Sequence, residues 1–248
     1  MNPPARVNPP ALLAIAHGSP QPRAEPVMRE LIARVRAARP DVPAVLAHLG
    51  FSQPDVPTAI DDLVAAGVRE LVVVPLLLTA AYHVNTDIPQ LLRAAEARHP
   101  GLRWIVAGAL GPHPRLFDLV RRRLAEAGAP SDAAVVLGAI GTSDPRANAE
   151  LAGVAATLGA TIGFASGEPD VADVVARLRE RGHRPVVVAS YVLAPGKLPD
   201  RFSETGADIV TEPLGADDEI VAVVLERYDA AVRRLMAISG GGPYRGPG

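Results

Sequence analysis

Six histidines and no cysteine narrow the chemistry this 248-residue chain can carry out. Thiolate zinc sites, iron–sulfur clusters, disulfide scaffolds and cysteine nucleophiles are excluded, which leaves His, Asp and Glu as metal ligands. Two histidines stand out by their surroundings. His17 closes the apolar run Ala11 to Ala16 within Ala16-His17-Gly18-Ser19, and His83 follows the apolar run Leu71 to Thr79 in a loop that also carries Tyr82. Neutral imidazole ligates first-row transition metals, and with a reference pKa of about 6.5 it also accepts protons near neutrality. Two imidazoles facing one crevice mark a single candidate site, with Ser19 and Tyr82 beside them as candidate substrate contacts.

The remaining histidines have plainer readings. His48, His99, His113 and His183 are each expected to be solvated; His99 and His183 sit at helix ends, where a cation suits the helix dipole, and His113 either borders the site or starts a helix. Glu168 and Asp170, and Asp217 to Glu219, read as charges at helix N-termini, and Arg121 to Arg123 as a solvated face. A serine hydrolase using Ser19 with His17 lacks both a nucleophile elbow and an orienting acid. No phosphate-binding G-x-x-x-x-G-K-[ST] and no G-x-G-x-x-G after a strand occurs, which argues against a P-loop NTPase and a dinucleotide enzyme.

The elements that must position His17 and His83 follow from periodicity. Short apolar runs at Ala11 to Ala16, Ala44 to Leu49, Leu71 to Thr79 and Leu102 to Leu110 alternate with helical spacing around Val27, Ile60, Ile88 to Arg98 and Arg115 to Ala127. Four successive βα units with right-handed crossovers predict the strand order 2-1-3-4, which sets the ends of strands one and three side by side. The second half repeats the order, with strands at Ala134 to Ala139, Thr161 to Ala165, Val186 to Leu193 and Ile209 to Glu212. Gly18-Ser19-Pro20 meets Gly141-Thr142-Ser143, and Pro54-Asp55-Val56 meets Pro169-Asp170-Val171. The expectation is an α/β chain of two tandem lobes, each a four-stranded parallel sheet flanked by helices. Lobe one is placed at 11–130 and a degenerate lobe two at 131–238, between flexible tails at 1–10 and 239–248. On this alignment His17 falls on Ile140 and His83 on Lys197, so the chemistry belongs to lobe one.

Net charge of −2 argues against nucleic acid and anionic lipid as partners. Leu71 to Ala81 is too short to span a bilayer, and Met1 to Pro10 lacks the apolar centre of a signal peptide. A cytoplasmic protein is expected, and a monomer, because the second lobe can cover the first.

Ala16-His17-Gly18-Ser19, then Val72-Val73-Val74-Pro75-Leu76-Leu77-Leu78 and His83-Val84-Asn85-Thr86-Asp87-Ile88-Pro89, resembles the class II tetrapyrrole chelatases of the CbiX and SirB type. The motifs cover residues 11–127, and the two-lobed layout of longer members carries the resemblance to about residue 236. It implies ATP-independent insertion of cobalt or ferrous iron into sirohydrochlorin, a lyase-class reaction of cobalamin or siroheme biosynthesis. The divalent metal is then a substrate and no cofactor is permanently bound. By position, His17 and His83 are the family's two active-site histidines, as catalytic groups and as metal ligands. Some relatives also carry a glutamate at the end of strand two, where this chain reads Ala47-His48-Leu49-Gly50. A non-catalytic metal or tetrapyrrole carrier is the alternative.

Overall fold

The computed structural model describes residues 9–79 and 86–239. Strands β1 (Ala11–Ala16), β2 (Ala44–His48), β3 (Glu70–Pro75) and β4 (Arg103–Val106) form one parallel sheet in the order β2-β1-β3-β4. Strands β5 (Ala134–Ala139), β6 (Thr161–Phe164), β7 (Val186–Ser190) and β8 (Ile209–Val210) form a second in the order β6-β5-β7-β8. Both orders match the expected one, so in each sheet the winding order reverses beside its first strand. The helices are α1 (Ala24–Ala38), α2 (Val56–Ala65), α3 (Ile88–Arg98), α4 (Pro114–Glu126), α5 (Pro145–Thr157), α6 (Val171–Glu180), the single turn α7 (Lys197–Asp200) and α8 (Asp218–Ser239). Among the described residues no helix is long and apolar enough to cross a membrane.

Alternation along β1 shows how one strand serves two cores. Leu12, Ala14 and Ala16 face a layer shared with α1, α4 and α8, while Ala11, Leu13 and Ile15 face α2 and α3. The shared layer also takes Leu137 and Ala139 of β5 with Leu151 and Val154 of α5, so it runs unbroken between the two sheets. Val136 and Val188 turn the other way, toward α6 and Phe202. Two of the outer helices start alike. Asp55 accepts from the backbone N–H of Thr58 at the start of α2, and Asp170 from that of Ala172 at the start of α6.

Packing crosses the chain midpoint. Helix α8, last in the chain, lies on β3 and β4 of the first sheet and against α1 and α4, whereas α4 packs on β7 of the second sheet. The boundary expected near Pro130 to Asp132 thus separates the sheets while each lobe receives a helix from the other. Arg122 and Arg123, read as part of a solvated face, instead reach from α4 to Asp217, and Arg123 donates to the carbonyls of Pro213 and Leu214. Only Arg121 of that run keeps to its own helix, pairing with Asp118.

Other expectations shift at their edges. The apolar run Leu71 to Thr79 ends as a strand at Pro75, yet Leu76 still donates to the Ile15 carbonyl, because hydrophobicity records burial and not strand pairing alone. Of the tail expected at 1–10, Pro10 is buried and its carbonyl accepts from the Tyr228 hydroxyl at 2.6 Å, while residues 1–8 lie outside the described residues. At the other end, α8 runs through Ser239, and 240–248 lie outside the described residues. Helix α7 and the 3-10 turn Arg201–Glu204 have no apolar periodicity to announce them.

Candidate active site

The carboxyl ends of β1 and β3 open onto a cleft of about 760 Å³ whose opposite wall comes from the ends of β5 and β7. This is where an open parallel sheet binds its ligand, here duplicated face to face. His17 and Ser19 line the first wall, and Ile140 and Lys197, the expected counterparts of His17 and His83, line the second. His83 and Tyr82 lie outside the described residues.

His17 is held by the turn that follows β1. Gly18 has φ +85°, and a β-carbon there would overlap the Gly50 carbonyl oxygen, so only glycine lets the two strand-end loops touch. Those loops are tied by backbone bonds from Leu49 N–H to Ala16 O (3.0 Å) and from Gly50 N–H to His17 O (3.1 Å). The contact brings Phe51 onto the imidazole, with ring centroids 6.3 Å apart and planes 24° from parallel. Phe51 is 73 % exposed and has φ +62°, a left-handed backbone that a bulky side chain adopts at an energetic cost. An aromatic ring is therefore presented to the cleft on a strained loop. Ser19 accepts from the backbone N–H of Gln21, which shapes the start of α1.

Beneath His17 lies a second polar pair that sequence reasoning missed. His48, expected to be solvated, is 1 % exposed at the end of β2. Its Nε2 lies 3.1 Å from Glu25 Oε2, a close approach without the alignment of a hydrogen bond, and its Nδ1 is 3.4 Å from the Pro54 carbonyl. Glu25 belongs to the first turn of α1, lines the cleft and is also paired with Arg29 at 2.7 Å. The signal that was available is the register: β2 pairs with β1, so His48 ends level with Ala16, one residue before His17.

On the facing wall, Tyr191 is buried with no hydrogen-bond partner for its hydroxyl among the described residues, and burial holds that hydroxyl protonated well above its ordinary range. At the mouth, Arg23 reaches across to Asp200 at 2.6 Å and joins the two walls. His99, His113 and His183 do not line the cleft. His99 caps the end of α3 and pairs with Asp61 at 2.6 Å, pulling that carboxyl below its usual range together with Arg98. His113 caps the start of α4 and faces Glu226 at 3.1 Å. His183 is exposed just after α6. Among the described residues no group of three or more His, Asp or Glu side chains converges on a metal position.

Two parallel α/β sheets facing one another across a cleft at their strand ends, with imidazoles on one wall only among the described residues, define a two-lobed protein with a chelatase fold. The same fold is seen in SirB from Bacillus subtilis with Fe3+, with a TM-score of 0.77 and 24 % identity over 94 % of this chain and 98 % of that one. The chain belongs to the CbiX family, whose model matches it twice, over residues 11–127 and 134–231. It is similar to the sirohydrochlorin cobaltochelatase of Priestia megaterium, 29 % identical over 158 residues, which is 58 % of this chain and 51 % of that protein. It is also similar to the sirohydrochlorin ferrochelatase of the same organism, 26 % identical over 68 % of this chain and 66 % of that one. The matched stretch thus spans about half of the first of these relatives.

Proposed function

We propose that the protein inserts cobalt or ferrous iron into sirohydrochlorin, in cobalamin or siroheme biosynthesis, at the cleft between its lobes. The observation that carries this reading is the placement of His17, on the rim of an interlobe cleft with largely apolar walls, in a chain of the CbiX family. His17 and His83 serve as metal ligands and as bases. A flat macrocycle enters against Phe51, with Ser19 and Tyr82 as further contacts. Imidazole supplies neutral nitrogen donors that hold a divalent ion until the pyrrole nitrogens take it over. The pyrrole protons displaced by the incoming ion pass to the imidazoles, and charge is conserved because a doubly charged cation replaces two protons. No nucleotide hydrolysis enters this sequence of steps, and the reaction falls in the lyase class. The metal is a substrate and no resident cofactor is required.

Residues 11–130 form the catalytic lobe in this reading, and residues 131–238 supply the opposing wall. The exchange of α4 and α8 supports a monomer, since each sheet finds its cover within one chain. A chain of net charge −2 favours neither nucleic acid nor anionic membrane as partner, and cytoplasmic biosynthesis suits it. The test is an anaerobic assay with purified protein, sirohydrochlorin and cobalt(II) or iron(II), followed by the visible absorption of the macrocycle. Acceleration over the spontaneous rate is expected. Binding of sirohydrochlorin without acceleration by either metal would make the protein a carrier.

A further inference from the structure

We propose that Lys197 anchors a peripheral carboxylate of the macrocycle, which makes the second lobe the wall that selects carboxylate-rich tetrapyrroles. The inference rests on the reading of the cleft as a tetrapyrrole site and assigns to lobe two a role that its lack of histidines leaves open. Of the 25 basic residues in the chain, 24 are arginine and Lys197 is the single lysine. That lysine opens α7 and is the only Lys or Arg among the described residues lining the cleft.

Its neighbours leave its charge unmatched. Asp200, one turn further along α7, is taken by Arg23 from the other wall at 2.6 Å. Glu25, the one carboxylate among the described cleft-lining residues, is engaged by Arg29 and His48 on the far side. Lys197 itself makes no ion pair or hydrogen bond among the described residues and is exposed. Gly196 approaches Ser19, with a β-carbon there 3.9 Å from the Ser19 hydroxyl oxygen, so Lys197 directly follows a point where the two walls come close. Elsewhere many of the surface arginines are engaged by carboxylates, as in the Arg115 pairs with Glu219 and Glu226.

The side-chain chemistry suits this task. A lysine ammonium is a compact point charge on a flexible stem, able to follow a carboxylate on a movable substituent, whereas a guanidinium demands a planar, two-point fit. Largely apolar cleft walls take the face of a macrocycle, and one cation at the rim fixes its rotation by engaging an edge carboxylate. Orientation of that kind matters when the metal must meet the ring from the His17 side.

The experiment is a fluorescence titration of metal-free uroporphyrin, rich in carboxylates, and protoporphyrin, poor in them, into wild-type protein, Lys197→Gln, Lys197→Arg and the control Arg121→Gln. Arg121 lies outside the cleft and pairs with Asp118 on its own helix, so it tests for a generic charge effect. Lys197→Gln is expected to weaken uroporphyrin binding roughly three- to tenfold, as one ion pair warrants, and protoporphyrin binding less. Added salt should erase the difference, Lys197→Arg should recover part of it and Arg121→Gln should match wild type. In turnover the loss should appear in KM for sirohydrochlorin, with kcat and KM for the metal unchanged. Unaltered uroporphyrin binding by Lys197→Gln, an equal loss in Arg121→Gln, or a loss confined to kcat would overturn the anchor. Lysine-dependent binding without metal insertion would keep the anchor and remove the chelatase reading. Metal insertion by wild type with unaltered Lys197→Gln would do the reverse, and binding of neither porphyrin would overturn both.

Discussion

The two lobes share a scaffold and differ at their strand ends. β1 and β5 hold matching places in their sheets, and Gly18 and Gly141 follow them with φ +85° and +84°. β2 and β6 each end in an isolated bridge to the Asp that caps the next helix, His48 to Asp55 and Phe164 to Asp170. Against this common frame, lobe one carries His17, His48 and Glu25 where lobe two carries Ile140, Phe164 and Asn148. Asn148 closes its own loop, accepting from Thr142 N–H and donating to Thr142 O, while Glu25 pairs with a buried imidazole at the cleft. The polar groups of lobe one are therefore no requirement of the fold. A scaffold that carries isoleucine and phenylalanine at these places does not need histidine there to fold, which is what supports the proposed chemical role of the lobe-one strand ends.

The largest expected effect separates these strand ends. His17→Ala and His83→Ala should each lower metal insertion at least ~100-fold, the scale of a lost base or ligand. Ile140→Ala, the matching change in lobe two, should leave the rate within a few-fold of wild type. For His17→Ala, an exposed residue, thermal unfolding should shift by no more than about 0.5 kcal/mol. Equal losses from both lobes would erase the proposed asymmetry.

A smaller effect sharpens the comparison, because the two glycines share one structural task. A methyl group at Gly18 overlaps the Gly50 carbonyl oxygen, and one at Gly141 overlaps that of Ser166. Each substitution to alanine should cost about 2–4 kcal/mol by denaturant unfolding, from the left-handed backbone and the overlap together. Only Gly18→Ala should also depress turnover in the protein that remains folded, since it displaces the loop that carries Phe51 onto His17.

The smallest effect concerns the helix caps. Thr58 donates to Asp55 and holds its carboxyl below the ordinary range. At Asp170 partial burial acts to raise the value, and the Ala172 N–H and Arg201 outweigh it, so the net shift is also downward. A depressed folded pKa means stability that is complete above the unfolded value of about 3.9 and lost as pH falls through the folded value. Asp170→Ala should cost about 1–2 kcal/mol at pH 7 and Asp55→Ala about 1 kcal/mol, because only Asp170 also pairs with Arg201, at 2.8 Å. Both differences from wild type should shrink between pH 4 and pH 2 in thermal melts; constant differences would show that the carboxylates are not the stabilising species.

Topology was the most legible layer. Eight apolar runs alternating with helical spacing, plus right-handed crossovers, suffice for the order β2-β1-β3-β4, and the position of His17 at a strand end places it in the cleft. What periodicity hides is the partner of an apolar face. The leucines of α4 announce one buried face without saying that it meets β7, and α8 gives no hint that it crosses to β3. His48 was misread because a polar residue at a strand end looks solvated in sequence, while its burial comes from α1 folding over β2. Phe51 carries no local signal either, since its exposure depends on the contact between Gly18 and Gly50.

The central claim is that metal meets the protein at the strand ends of lobe one. Anaerobic cobalt(II) titration, read by the visible absorption of the bound ion, tests it without the macrocycle. Wild-type protein should saturate with imidazole-ligated cobalt, Lys197→Gln should match it, and His17→Ile, which copies the strand end of lobe two, should weaken binding at least about tenfold. A His17→Ile protein that binds cobalt as tightly as wild type, with the same absorption, would contradict the assignment.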